Sequence, residues 1–135
     1  MKRINFIILI FFILTACKKT NEKLIIGSWK IEKHEYSYDG VIFDDIENSC
    51  STDDIWTFTK DGMVEVNQGL TCAGSSTPET TWSLKDNDQT IVYTYDNALG
   101  EYYSIIMQLD KKTLVTEFFT GDIENGKVRN TFSKY

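Results

Sequence analysis

The sequence predicts an all-β fold, an up-and-down antiparallel β-barrel of about 8–9 strands, and three observations carry that expectation. From Leu24 onward there is no long apolar period of 3.6 residues; short runs rich in Val, Ile, Thr, Tyr, Phe and Trp alternate with Gly, Asp and Asn. The turn residues recur at short intervals, as in a meander where each strand pairs with the next. An open sheet of that many strands in one small domain would leave two edges unpaired, and closure removes both.

Taken in order, the strands fall near 28–37, 41–46, 53–59, 63–68, 79–85, 89–96, 101–109, 113–120 and 127–134. They are separated by Asp39-Gly40, Lys60-Asp61-Gly62, Asp86-Asn87-Asp88, Asn97 to Gly100, Asp110-Lys111-Lys112 and Gly121 to Gly126, and the single proline, Pro78, lies in a loop. One hairpin carries its own register. In "DIWTFTKDGMVEV" a three-residue loop, with Gly62 in the left-handed position, pairs Thr59 with Met63, Phe58 with Val64 and Trp56 with Val66. Continued outward, the same register sets Cys50 opposite Cys72.

The N-terminus has a different character. Lys2 and Arg3 precede an apolar run from Ile4 to Leu14, the layout of a secretory signal. The run is roughly half the ~20 residues that a membrane span needs. Leu14-Thr15-Ala16-Cys17 resembles the bacterial lipobox, in which the cysteine is diacylated, becomes the first residue and is then N-acylated. The resemblance implies that residues 1–16 are a signal peptide that is removed and that Cys17 is lipidated. Residues 17–23 then form a lipidated tether and 24–135 the barrel domain. Several acyl chains together anchor a protein firmly. Lys18, where inner-membrane lipoproteins of Gram-negative envelopes carry aspartate, implies a cell-envelope protein held at the outer membrane. Polar residues 18–23 read as a flexible tether reaching on the order of 13 Å.

Removing Lys2 and Arg3 from the 14 basic side chains leaves 12 against 20 acidic ones, a net charge of −8. No nucleic acid partner is expected, since phosphate contacts need a basic patch. Cys50 and Cys72 are the two cysteines left after Cys17, in a compartment that permits a disulfide. Their bridge would stabilise the domain by roughly 3 kcal/mol on the chain-entropy view.

The chain offers little catalytic chemistry. Its one histidine, His34, falls on a strand among Glu32, Glu35 and Tyr36 and reads as exposed; no nucleophile or second histidine completes a constellation. Neither a phosphate-binding Gly-rich loop nor a Cys-x-x-Cys pair occurs, so no enzyme and no cofactor is expected. Asp44, Asp45, Glu47, Asp53 and Asp54 have the ligand type calcium uses, but their spacing matches no EF-hand loop. They read as a solvated acidic connection, and no metal is assigned. The many aromatic residues are expected to fill the interior, as in other small barrels.

Gly27-Ser28-Trp29, in "LIIGSWKIEK", resembles the Gly-x-Trp of lipocalins and their calycin relatives. The layout is also similar to that of short lipocalin-like bacterial lipoproteins, with Thr80-Thr81-Trp82-Ser83-Leu84 and "TFTKDG" as further points of likeness. The resemblance implies that Trp29 packs across the closed barrel end beside Gly27 and that an arginine near the last strand stacks over it. Arg129 is the arginine left after cleavage; it faces opposite to Val128, Asn130 and Phe132. No segment matches the helix that follows the barrel in full-length lipocalins, which argues for a small cavity.

Two functions are then open. The protein binds a small apolar ligand in its mouth, or it is a solid-core envelope module whose loops bind a protein or glycan. A connected apolar cavity of roughly 300 Å³ or more separates them. If every strand crosses the barrel, the short turns at 39–40, 60–62, 86–88 and 110–112 share the end far from Trp29. The long connections, the acidic cluster and Arg129 would then share the tethered end and govern recognition.

Overall fold

A computed structural model describes residues 21–39, 41–43, 52–69, 79–96, 100–120 and 126–135. One helical turn, α1 (Asn21–Ile25), precedes nine strand segments. These are β1 (Gly27–Tyr38), β2 (Val41–Phe43), β3 (Ile55–Phe58), β4 (Met63–Asn67), β5 (Thr80–Lys85), β6 (Thr90–Tyr95), β7 (Glu101–Leu109), β8 (Thr113–Phe119) and β9 (Gly126–Lys134). Each follows a run of β-branched or aromatic residues, whose branched or flat side chains pack on a pleated surface. All pairings are antiparallel between neighbours, and β1 pairs with β9 to close the sheet. Cys17, Cys50 and Cys72 lie outside the described residues.

The β3–β4 hairpin has the expected register: Phe58 faces Val64, Trp56 faces Val66, and the Thr59 amide donates to Met63 O at 2.9 Å. Gly62 supplies the left-handed residue, with φ +85°. At the next tight turn Asp86, Asn87 and Asp88 all have positive φ, a conformation that these two residue types tolerate better than most.

Two findings change the architecture expected from the strand list. Residues 21–23, expected in a flexible tether, belong to α1, and Ile25 is fully buried. The two predicted strands at 41–46 and 53–59 are not two crossings. β3 pairs with Gly27–Lys30 of β1 and β2 with Tyr36–Tyr38, both on the edge of β1 that β9 does not occupy. They are two halves of one wall position, so nine segments make a closed barrel of eight strands.

That changes the parity of every later connection. The turns at 60–62, 86–89 and 110–112 lie at the Trp29 end, not opposite it. Contacts there agree: Asn21 Nδ2 donates to Asp88 O at 2.7 Å, Trp82 Nε1 to Thr59 O at 3.1 Å, and the Lys134 amide to Lys112 O at 2.8 Å. The turn at 39, the ends of β4, β6 and β8, and the starts of β5, β7 and β9 lie at the other end.

The core is densest at the Trp29 end. Ile25, Trp29, Phe58, Val64, Ile91 and Leu114 are buried there. Phe58 meets Trp82 edge-on at a centroid separation of 5.5 Å, a favoured aromatic geometry. Trp29 is wholly inaccessible, and its indole N–H donates to Ile25 O at 2.6 Å, which ties α1 across the barrel floor.

Candidate functional site

The barrel interior is packed from the Trp29 end up to a layer of Ile31, Trp56, Tyr93 and Phe132, and above it opens a cavity of about 250 Å³. Trp56 holds the floor edge-on to Tyr93 at 5.9 Å and to Phe132 at 6.1 Å. Tyr95, Tyr102, Phe118 and Phe119 continue the wall toward the mouth. Tyr95 and Tyr102 are themselves perpendicular at 5.2 Å. At the rim Tyr102 is 50% and Phe119 62% exposed, an unusual exposure for such large rings. The cavity volume falls somewhat below the ~300 Å³ that marks an ordinary small-molecule pocket, yet the interior is not solid.

Three polar side chains form a row across this aromatic wall. His34 of β1 is opposite Asn130 of β9, and Asn130 is opposite Thr116 of β8. His34 Nδ1 and Asn130 Oδ1 are 2.6 Å apart, and Thr116 is buried. Asn130 lies on the inward face with Val128 and Phe132, as the sequence implies. His34 does not lie where strict alternation from Trp29 and Ile31 puts it. A bulge between Ile31 and Lys33 inserts one extra residue against β9, and His34 joins the inward face. The apolar parity of β1 carries the signal: Trp29 and Ile31 are odd, Tyr36 and Tyr38 even.

His34 and tyrosines are the titratable groups among the described lining residues. Burial pushes the Tyr93 phenol far above its usual range; the neighbouring Tyr95 adds to this and a hydrogen bond with Ser104 opposes it. Burial, and then Tyr102, raises Tyr95 as well. Tyr93 and Tyr95 are therefore neutral phenols at physiological pH.

The residues expected at the closed end are only partly together. Gly27 has φ +119°, and a Cβ there would sit 2.8 Å from Lys134 Nζ. Lys134, not Arg129, covers Trp29: its ammonium is 4.1 Å from the ring centroid and donates to Ile26 O at 2.7 Å. Desolvation there lowers the Lys134 pKa. Arg129 is five residues back along β9, on the outer face, where its Nε donates to Glu117 Oε1 at 2.9 Å and its terminal nitrogen to the same oxygen. Its outward phase was legible, but its distance from Trp29 along the strand rules out stacking.

Asp44, Asp45 and Glu47 of the acidic connection lie outside the described residues. Asp54 is buried, accepts the Gly69 amide at 3.2 Å through Oδ1, and accepts the Ile31 amide through its carbonyl at 3.2 Å. Among the described residues no cluster of three or more His, Cys, Asp or Glu side chains is arranged to hold a metal ion.

The profile of one family, the lipocalin-like domain, matches residues 25–116. No curated protein and no solved structure matches the chain. The matched stretch runs from the buried Ile25 through Gly27-Ser28-Trp29 and both later tryptophans to Thr116 in the cavity wall, and the closed eight-stranded barrel agrees with it. The chain belongs to the lipocalin-like domain family.

Proposed function

We propose that the protein is a non-enzymatic, lipid-anchored envelope protein that binds a small apolar molecule in the mouth of its barrel. The acylated Cys17 would hold it at the outer membrane, with Cys50 and Cys72 bridged. The observation that supports binding is the aromatic cavity at the end opposite the Trp29 plug, because a solid-core module would have no such space. A single-ring ligand burying about 200 Å² at ~25 cal/mol per Å² gains roughly 5 kcal/mol, a Kd on the order of 0.1–1 mM. Additional contacts at the mouth would tighten this.

The test is a calorimetric titration of the mature chain with propylbenzene. Saturable 1:1 binding is expected, weakened at least tenfold in Thr116→Phe, which fills the cavity. An unfilled wild type, or equal binding by the filled variant, would overturn the reading.

A further inference from the structure

We infer that His34 makes the cavity selective for a small, flat ligand that donates one hydrogen bond, such as a phenol or another aromatic alcohol; this deepens the binding reading above and rests on it. Size sets the first constraint. A volume of about 250 Å³ equals roughly eight waters at ~30 Å³ each, so the enclosed part of the ligand has on the order of ten non-hydrogen atoms. Flat rings suit the space, because Trp56, Tyr93, Tyr95, Phe118 and Phe132 line it.

The hydrogen-bond preference follows from the polar row. With the amide oxygen of Asn130, an acceptor, assigned to the position 2.6 Å from His34 Nδ1, the proton of this pair is assigned to Nδ1. A neutral imidazole bonded in this way has its lone pair on Nε2. Among the described residues no other hydrogen bond reaches the ring. Asn130 is thus a positioning residue that fixes the tautomer, and Nε2 is the acceptor left to the ligand. Of the other polar groups in the wall, the buried Trp56 N–H, which has no partner among the described residues, can only donate, Tyr93 is engaged with Ser104, and the hydroxyls of Tyr95, Tyr102 and Thr116 are weaker acceptors than an imidazole nitrogen. A ligand lacking a donor would leave Nε2 without a partner once water is displaced, and an unmet buried acceptor is costly.

The test compares 4-propylphenol, 4-propylanisole and propylbenzene on the mature chain by calorimetry. The wild type is expected to bind the phenol roughly tenfold more tightly than the other two. His34→Phe should bring all three to similar affinity, and His34→Gln, whose amide oxygen can accept, should restore part of the preference. In the wild type itself, the phenol and not the anisole should shift the His34 ¹⁵Nε2 resonance, a readout that does not depend on how the variants fold. Equal affinity for all three ligands, or an unmoved Nε2 signal, would overturn the role of His34 while leaving the cavity reading intact. Binding of none of them would overturn both.

Discussion

Trp29 shows what one side chain contributes at the closed end. It is fully buried, its N–H is bound to Ile25 O, and its face is covered by the Lys134 ammonium. Trp29→Ala should cost about 3–5 kcal/mol in urea denaturation, the range for a buried large aromatic; a loss below ~1 kcal/mol would mean the plug is not structural. Tyr93 yields a pH prediction. Its folded pKa is raised by burial, so above about pH 10, the unfolded value, the unfolded chain loses a proton that the folded one keeps. Stability is therefore unaffected well below pH 10 and falls as pH rises beyond it. Between pH 10 and 11 the wild type should lose about 1 kcal/mol more than Tyr93→Phe. Parallel pH profiles for the two proteins would refute the burial of the phenol. Lys134, with a lowered pKa, acts in the opposite sense, but it is common to both proteins.

At the level of single elements, turns were legible and bulges were not. The β3–β4 hairpin follows from a three-residue loop ending in Gly62, because a left-handed residue at that position sets the pairing of everything outward. Gly62→Ala should destabilise the domain by about 1–2 kcal/mol, the cost of a left-handed residue with a Cβ. A neutral result would remove the turn chemistry as the source of the register. The bulge in β1 is different. It depends on how β9 lies against β1 across about 100 residues of chain, and alternation counted from one end misses it. With it went His34, the one site residue that sequence reasoning placed on the wrong face. Asn130 and Phe132 were within reach, since no bulge interrupts β9.

Over the whole molecule, the division of one wall position between β2 and β3 decides orientation. α1, the tight turns and the Trp29 plug share one end, and the cavity opens at the other. From Cys17 to Asn21 is four residues, a reach on the order of 11 Å, whereas nine-residue β9 is roughly 30 Å long at ~3.3 Å per residue. An acylated Cys17 would therefore hold the tight turns near the lipid and the mouth away from it. Charge favours the same polarity. Described residues at the mouth end include Asp39, Glu79, Asp96 and Glu101 against Lys127, with Glu101 ion-paired to Lys85 at 3.2 Å, while Lys23, Lys60, Lys111 and Lys112 offset the acidic residues of the closed end. Anionic headgroups attract the second kind of surface more than the first. Two measurements check this. Cys17→Ser should abolish labelling by a palmitate analogue and release the protein from membranes. In vesicles carrying nitroxide lipids, a fluorophore at Lys111→Cys of the acylated protein should be quenched more than one at Asp39→Cys. Equal or reversed quenching would overturn the polarity.

Where the strands lie, the β3–β4 register and the common face of Val128, Asn130 and Phe132 on β9 were legible from alternation and turn chemistry, which act over a few residues, while the burial of Trp29 was implied by the Gly-x-Trp resemblance. Three features emerged with the closed barrel: β2 and β3 share one wall position, Lys134 and not Arg129 covers Trp29, and His34 faces the cavity. These depend on where distant strands come to lie against β1 when the barrel closes, and closure is set by the packing of the whole sheet around one core. Short-range patterns carry no record of it except where, as in the change from odd to even aromatic positions along β1, a non-local constraint has left its mark on local spacing.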